Sequence, residues 1–161
     1  MKQIVVRGYT PADLDAMFAL DVLCFDEPFR FSRRTMQRFA EAKKARVVIA
    51  ELVGDVVGFA IAHVERVEGG RVGYVVTLDV AEPMRRHGLA TTLMQRLEVV
   101  SREAGCDAMV LHVYEGNEGA IRFYERMGYE RVQRARGFYG PGVDGWVYRK
   151  ILGKAAVEGG A

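Results

Sequence analysis

The sequence predicts a mixed α/β fold of the α+β type, with about seven strands and about four helices in the order β-α-α-β-β-β-α-β-α-β-β. Turns at residues 54–55 and 68–70 contain glycine and separate three apolar runs, a pattern typical of consecutive antiparallel strands. A helical pattern and a further apolar run follow, which predicts a helical crossover to a parallel strand. We therefore expect a central, mixed and mostly antiparallel sheet.

The composition indicates an ordinary globular chain. It has 161 residues, of which 50% are hydrophobic, and its formal net charge is +2 at pH 7. We expect one domain over residues 1–152 and a flexible tail over residues 153–161. Such a small net charge does not by itself indicate a nucleic-acid partner.

The cysteines and the apolar runs predict the cellular setting. Cys24 and Cys106 lack the spacing of metal ligands, and two cysteines do not make a disulfide framework. The sequence shows neither a secretory leader nor a long apolar run. We therefore expect a cytoplasmic protein that binds no metal and no membrane.

The first quarter of the chain predicts one strand and two helices. The strand is expected over residues 3–9. Thr10 followed by Pro11 is typical of a helix N-cap and the first helical position. Ser32 is expected to cap a second helix that runs to about Lys44.

The centre of the chain combines a strand, a glycine-containing turn and a helix. Apolar residues of the predicted helix recur on one face, namely Leu89, Leu93, Leu97, Val100 and Ala104. The first turn of such a helix presents backbone N–H groups and the positive end of the helix dipole, here beside Arg85 and Arg86. Gly88 lets a ligand approach the backbone closely. The sequence therefore predicts an anion site suited to phosphate.

The last third of the chain predicts a strand, a short helix and two closing strands. Residues 108–113 form the strand, in which His112 is the only polar residue. Asn117 is expected to cap the helix, which Gly128 ends. The closing strands are expected over residues 129–136 and 143–151.

Two motifs occur within this order of elements. They are Arg85-x-x-Gly88-x-Ala90 at the start of the central helix, and Asn117 followed by Phe123-Tyr124-Glu125-Arg126-Met127-Gly128-Tyr129. Together they resemble the signatures of the GNAT superfamily of acetyl-CoA-dependent N-acetyltransferases, over nearly the whole chain. Within the superfamily the chain is most similar to the protein N-terminal acetyltransferases, including the ribosomal-protein alanine type. The residues that carry this closer similarity are 74–78, Leu111-His112-Val113 and Phe138-Tyr139.

The resemblance implies an acyltransferase that transfers an acetyl group from acetyl-CoA to a primary amine by direct attack, without a metal. Backbone groups at the end of the central strand are implied to contact the pantetheine arm, and the glycine turn to hold the diphosphate. The implied cofactor-binding residues are Leu78, Asp79, Val80, Arg85, Arg86, His87, Gly88, Leu89, Ala90, Thr91, Asn117 and Tyr124.

Three residues are the candidate catalytic groups. Tyr124 is the candidate general acid for the leaving thiolate, because the family shares its interval from Asn117. His112 has a side chain whose pKa suits it to accept an amine proton. Tyr74 is expected on the neighbouring strand, where it and His112 can hold a water that relays the proton.

Two aromatic segments are expected to wall the acceptor groove. Phe25, Pro28 and Phe29 form one wall and Tyr139 the other, and loops of this kind accept an extended peptide end. We expect the acceptor to be the N-terminal α-amine of a protein or peptide, and the enzyme to be a monomer or homodimer.

Other acceptors and other classes of protein stay open. A small-molecule amine or a lysine side chain is the alternative acceptor, although only Asp26, Glu27 and Asp144 are acidic in the acceptor loops. A non-catalytic acyl-CoA-binding module is the alternative class of protein.

Two nucleotide-binding folds are disfavoured. A nucleotide-hydrolysing loop requires Gly-Lys-Ser/Thr after the glycine turn, and the sequence lacks it. A dinucleotide-binding fold is disfavoured because hairpins link the preceding strands and one glycine occupies the turn. The remaining histidines, His63 and His87, are assigned to a loop or the surface.

Overall fold

The structure, a computed structural model, describes residues 3–153, and its order of elements is the predicted one. The strands are β1 (Ile4–Gly8), β2 (Ala45–Leu52), β3 (Asp55–Val67), β4 (Gly70–Val80), β5 (Ala108–Tyr114), β6 (Glu130–Ala135) and β7 (Gly145–Ile151). The helices are α1 (Leu14–Cys24), α2 (Arg33–Glu41), α3 (Leu89–Glu103) and α4 (Glu118–Arg126), with short 3-10 turns at Pro11–Asp13 and Glu82–Met84. Most of the predicted tail, residues 154–161, lies outside the described residues.

The seven strands form one sheet in the order β1-β2-β3-β4-β5-β7-β6. Antiparallel pairing joins β1 to β2, β2 to β3, β5 to β7 and β6 to β7. The prediction of a mixed α/β fold with a mostly antiparallel sheet is therefore confirmed. Strands β4 and β5 are neighbours although α3 separates them in the chain, as a helical crossover requires. Their parallel pairing stays a prediction.

The described residues divide into two densely packed units, residues 3–63 with 75–97, and residues 64–74 with 98–153. One domain over residues 1–152 stays a prediction. The core of the first unit consists of apolar residues from α1, α2, β2 and β3, namely Leu14, Met17, Leu20, Met36, Ala40, Ile49, Phe59 and Ile61. The second unit buries large side chains of its own, among them Met109, Leu111, Tyr129 and Tyr148.

The apolar face of α3 begins as predicted, with Leu89, Leu93 and Leu97 buried. Gly58 in β3 gives this helix room. A Cβ atom at Gly58 would lie 3.0 Å from Leu93 Cδ1 and 3.1 Å from the Asp79 carbonyl oxygen. The start of α3 is thereby packed closely against the strand that it covers.

Two helix boundaries differ from the prediction. Residues Pro11–Asp13 form a 3-10 turn, so α1 begins only at Leu14, although the Thr10 N–H still donates to Asp13 Oδ2 at 2.8 Å. The second helix ends at Glu41 instead of near Lys44. Ala42 has extended backbone angles, because the chain turns there to enter β2.

The hairpin between β2 and β3 is confirmed, but its turn lies one residue earlier than predicted. Val53 and Gly54 form the turn and both have positive φ, 51° and 83°. Turns of this mirror-image kind match the twist of the flanking strands.

Candidate active site

Tyr74 and His112 form a hydrogen-bonded pair across neighbouring strands. Tyr74 Oη lies 2.8 Å from His112 Nδ1. The predicted proximity of the two residues is therefore observed. Their catalytic role stays a proposal.

Burial sets the protonation of this pair. It raises the pKa of Tyr74 to about 12, so the phenol keeps its proton near neutral pH. It lowers the pKa of His112 below the ordinary value, so the imidazole is neutral there. A neutral imidazole has one ring nitrogen with a lone pair and can accept a proton. The pair thus has the protonation that a general base needs.

Phe138 stacks on the imidazole of His112. The ring centroids are 3.7 Å apart and the ring planes are inclined by 11°. Phe138 itself is 45% exposed. The stack covers one face of the imidazole, whereas the lone pair of the unprotonated nitrogen lies in the ring plane, at the edge. Sequence reasoning missed this contact, and the only sequence signal for it is that Phe138 precedes Tyr139.

Tyr139 belongs to the same aromatic group. Its ring packs edge-on against Phe138, with centroids 4.9 Å apart. Burial, with a smaller effect of Tyr74, raises the pKa of the Tyr139 phenol above its ordinary value. Gly145 makes room for this ring, because a Cβ atom there would lie 2.9 Å from the Val113 carbonyl oxygen and 3.0 Å from Tyr139 Cε2. The position of the Tyr139 ring thus depends on Gly145, which has no side chain, at the start of β7.

Asp144 holds the loop between β6 and β7. The backbone N–H of Gly137 donates to Asp144 Oδ1 at 2.7 Å, and the Arg134 guanidinium donates to Oδ2 at 3.2 Å. Arg134 also pairs with Glu115. The Gly137 N–H and the arginine hold the pKa of Asp144 below its ordinary value. This carboxylate is therefore engaged in shaping the aromatic loop.

The turn before α3 has the backbone geometry of an anion site. Gly88 and Arg86 have left-handed φ angles of 78° and 68°. The hydrogen bond that opens the helix runs from Thr92 N–H to the Gly88 carbonyl at 3.0 Å. The backbone N–H groups of residues 89–91 consequently have no acceptor within the helix. Such N–H groups at the positive end of a helix dipole fit a phosphate group.

The side chains around the turn fit the same ligand. An open cavity of about 300 Å³ is lined by Glu82, Arg85 and Arg86. Arg85 is anchored at the end of β4, where its Nε donates to the Val80 carbonyl at 3.1 Å. The thiol of Cys24 donates to the same carbonyl at 3.4 Å. Because two arginines and one glutamate line the cavity, its net charge is positive.

Asp79 differs from the other predicted cofactor residues. Its side chain is completely buried, and Thr77 donates its hydroxyl to Asp79 Oδ1 at 2.5 Å. Only the backbone of Asp79 is therefore available to a ligand. This agrees with the backbone contacts that the resemblance implies for Leu78 and Val80.

Asn117 directly precedes α4 and Tyr124 lies within it, as predicted. Asn117 caps the helix, since its Oδ1 accepts the Ala120 N–H at 3.1 Å. Its side-chain NH2 group is the part that can donate to a ligand. Tyr124 is buried, with its ring 5.2 Å from Phe123 and 5.7 Å from Tyr129. The proposed roles of both residues stay predictions.

Residues 25–31 form an ordered segment after α1. The Phe25 N–H donates to the Asp21 carbonyl at 2.9 Å, and the peptide bond before Pro28 is cis. Phe25 and Phe29 are half-buried and Pro28 is exposed. The acceptor groove between this segment and Tyr139 stays a prediction.

His63 corrects one sequence-based assignment. It was predicted to lie in a loop or at the surface, but it lies in β3 and is only 7% exposed. Its Nε2 is 2.9 Å from the Phe39 carbonyl oxygen, and its ring packs edge-on against Phe39. A hydrogen bond to the backbone therefore compensates the burial of this polar ring. His87 is exposed in the turn, as predicted.

Two further findings concern residues 3–153. Within that range no group of three or more His, Cys, Asp and Glu side chains is arranged to hold a metal ion. Over the same residues, no helix is long and apolar enough to cross a membrane.

The seven-stranded sheet and its order of elements are those of an acetyltransferase of the GNAT type. The sequence matches the Acetyltransferase (GNAT) family over residues 14–129, and the protein belongs to this family. It is an acyltransferase that uses acetyl-CoA as donor and an amine as acceptor. The family, the enzyme class and the donor predicted from the sequence are thereby confirmed.

Curated relatives align over most of the chain. Identity is 26% over 160 residues to the N-alpha-acetyltransferase of Sulfurisphaera tokodaii, covering 91% of this chain and 92% of that protein. It is also 26% over 151 residues to the N-terminal acetyltransferase A complex catalytic subunit NAA10 of Arabidopsis thaliana, covering 92% and 78%.

Solved structures share the fold. NAA60 of Arabidopsis thaliana, in complex with a bisubstrate analogue, superposes with a TM-score of 0.80 at 25% identity, covering 92% of this chain and 98% of that one. The ribosomal-protein-S18-alanine N-acetyltransferase of Escherichia coli superposes with a TM-score of 0.82 at 18% identity, covering 96% and 97%. The second likeness shows the fold alone.

Proposed function

We propose that the enzyme acetylates the N-terminal α-amine of a protein or peptide. The observation that carries this proposal is the Tyr74–His112 hydrogen bond, with Phe138 stacked on the imidazole and Tyr139 beside it. The relatives named N-alpha-acetyltransferase and NAA10 support the same class of acceptor.

His112 is the proposed base. When its Nδ1–H donates to the Tyr74 oxygen, the lone pair of Nε2 is free to take the amine proton, directly or through a water. The Tyr74 oxygen then stabilises the imidazolium through a charge-assisted hydrogen bond. The Phe138 stack holds the ring plane and leaves its edge open.

The proposed donor site consists of the turn before α3 and the end of β4. Acetyl-CoA brings the acetyl group as a thioester. The N–H groups of residues 89–91 and the Arg86 guanidinium bind the diphosphate in this proposal, and the backbone of Leu78 and Val80 binds the pantetheine arm. Tyr124 is the proposed acid that donates a proton to the CoA thiolate as the bond between the acetyl carbon and the sulfur breaks.

The available side chains favour a peptide over a polyamine. Phe25, Pro28 and Phe29 offer apolar contacts to an extended peptide end. Two of the three acidic side chains that could hold a polyamine, Asp144 and Glu27, already have partners. Asp144 binds Gly137 and Arg134, and Glu27 lies 3.7 Å from Arg30.

Acceptor competition tests the proposal. The enzyme is incubated with acetyl-CoA and three acceptors: peptides with a free N-terminus, the same peptides blocked at the N-terminus but carrying a lysine, and spermidine. Release of the CoA thiol measures turnover, and tandem mass spectrometry locates the acetyl group. We expect acetylation of the α-amine. Turnover of the lysine or of spermidine with inert α-amines would contradict the proposal.

A further inference from the structure

Asp21 and Asp79 are carboxyl groups that the proposed reaction does not use. Asp21 lies in the last turns of α1 and Asp79 is next to the last residue of β4. Both side chains are completely buried, each with a relative exposure of 0%. Ionised carboxylates are rarely buried in this way unless a partner compensates the charge.

Each carboxyl group has one oxygen with a donor and one without. Thr77 donates to Asp79 Oδ1 at 2.5 Å, and the Phe31 backbone N–H donates to Asp21 Oδ2 at 2.8 Å. The other oxygens, Asp21 Oδ1 and Asp79 Oδ2, are buried and meet no donor when both groups are ionised. Yet the two side chains are within hydrogen-bond reach of each other. A single proton between them would give each remaining oxygen its partner.

We infer that Asp21 and Asp79 share one proton, and that this O–H···O link positions residues 25–31 against β4. Two buried carboxylates in contact cannot both ionise without a large cost, so a pair of this kind retains one proton. The inference rests on the proposed function only where it concerns the acceptor, because residues 25–31 contain the predicted acceptor contacts.

Arg85 and Cys24 are titratable groups that interact with Asp79. Burial, and then the hydrogen bond to Asp21, hold the pKa of Asp79 well above its usual range, while Thr77 and Arg85 act in the opposite direction. Burial, with a smaller effect of Asp79, raises the pKa of the Cys24 thiol, which stays neutral. The singly protonated pair therefore carries one negative charge opposite the Arg85 guanidinium.

Asp21 closes the segment at both ends. Its backbone carbonyl accepts the Phe25 N–H at 2.9 Å, and its carboxylate accepts the Phe31 N–H at 2.8 Å. Loss of the shared proton would place two negative charges in contact and push Asp21 away from Asp79. Both ends of the segment would move with it. The proton thus couples the order of the segment to pH.

The sign of the pH dependence follows from proton binding. Above the ordinary aspartate pKa of 3.8, the unfolded chain has released a proton that the folded pair retains. The equilibrium constant for unfolding therefore increases by up to about tenfold for each unit by which the pH rises, until the folded pair loses its proton. The stability that the shared proton contributes is greatest at low pH and decreases as the pH rises.

Three variants test the inference. In D21N or D79N, the new amide donates to the remaining carboxylate, so no shared proton is needed. D15N is the matched control, because Asp15 lies on the same helix with 83% of its side chain exposed. Urea unfolding is measured at several pH values. In wild type and D15N, the equilibrium constant for unfolding should show the additional increase of about tenfold per pH unit. D21N and D79N should both lack it.

Infrared spectroscopy detects the proton itself. The carbonyl absorption of a protonated carboxyl group should be present at neutral pH in wild type and D15N and missing in D21N and D79N. If wild type lacks this absorption, or all four proteins unfold with the same pH dependence, the inference is wrong. If only one of the two asparagine variants differs from wild type, the proton belongs to one residue and is not shared.

Kinetics test the positioning of the segment. In wild type the KM for whichever amine is accepted should rise as the shared proton is lost, while the KM for acetyl-CoA stays constant. D21N should lack this rise, and a wild type that behaves like D21N would refute the positioning role. The unfolding and infrared measurements need no acceptor, so failure of the proposed function would leave them unaffected.

Discussion

The hydrogen bond between Tyr74 and His112 leads to a quantitative prediction. If His112 takes the amine proton, His112→Ala should lower kcat/KM by about 10²- to 10⁴-fold, the usual contribution of a general base. Tyr74→Phe removes the oxygen that lies 2.8 Å from Nδ1. A hydrogen bond to a charged group contributes about 1.5–3 kcal/mol, so Tyr74→Phe should lower kcat/KM by about 10- to 150-fold.

The double variant decides whether the two residues act as one unit. Tyr74 is proposed to act only through the imidazole, so the double variant should lose no more than His112→Ala alone. The assay is CoA thiol release with an accepted peptide at a fixed, mildly alkaline pH. Thermal unfolding shows whether each variant is folded, and calorimetry shows whether it binds acetyl-CoA.

A matched tyrosine serves as control. The Tyr9 hydroxyl is likewise hydrogen-bonded, since it donates to Glu41 Oε2 at 2.6 Å, but it belongs to no part of the proposed site. Tyr9→Phe should therefore leave kcat/KM unchanged. If the separate losses of Tyr74→Phe and His112→Ala multiply in the double variant, the two residues act independently and the proposed proton route is wrong.

Four further predictions follow from the site. Tyr124→Phe should lower turnover by about 10²- to 10⁴-fold with acetyl-CoA binding little changed, whereas unchanged turnover would remove Tyr124 as the acid. Gly145→Ala should destabilise the protein by about 1–3 kcal/mol and raise the KM for the acceptor, because its Cβ meets the Val113 carbonyl at 2.9 Å. Gly119→Ala, where a Cβ meets nothing within 4 Å, is the control in the same thermal and kinetic assays. Gly88→Ala forces a side chain into a φ of 78°, which should cost about 1–2 kcal/mol and weaken acetyl-CoA binding in calorimetry; unchanged affinity would speak against the anion site. Burial lowers the pKa of His112 below its ordinary 6.5, so the unfolded chain binds more protons below that pH and the free energy of unfolding should fall as the pH decreases. His112→Gln should flatten this part of the urea-unfolding profile.

The sequence predicted most of the fold because its signals are local. Hairpin turns, helix caps such as Ser32 and Asn117, and the apolar face of α3 each act over a few residues. The side chains of both caps accept a backbone N–H, as expected. Element ends were predicted less well. Whether α2 stops at Glu41 or Lys44 depends on where the chain must turn to join the sheet, which is not a local property.

The site was predictable to the extent that motifs and strand neighbours determine it. The proposed anion-binding turn follows from Gly88 and the start of α3, and the Tyr74–His112 pair follows from the adjacency of β4 and β5. The stacking of Phe138 on His112 and the hydrogen bonds of Asp144 to Gly137 and Arg134 were not predicted. Both depend on how the loop between β6 and β7 folds back on β5, and the spacing of its residues does not encode that path.

By itself, the sequence determined the class of fold, the family and the donor, because these follow from local pattern and from motifs. Only the tertiary structure decided the protonation and environment of the side chains. It raised the pKa of Tyr74, lowered the pKa of His112 and placed Asp79 as a buried carboxyl in contact with Asp21. The physical reason is that a pKa depends on desolvation and on nearby charges, and both arise from residues that are distant in the chain.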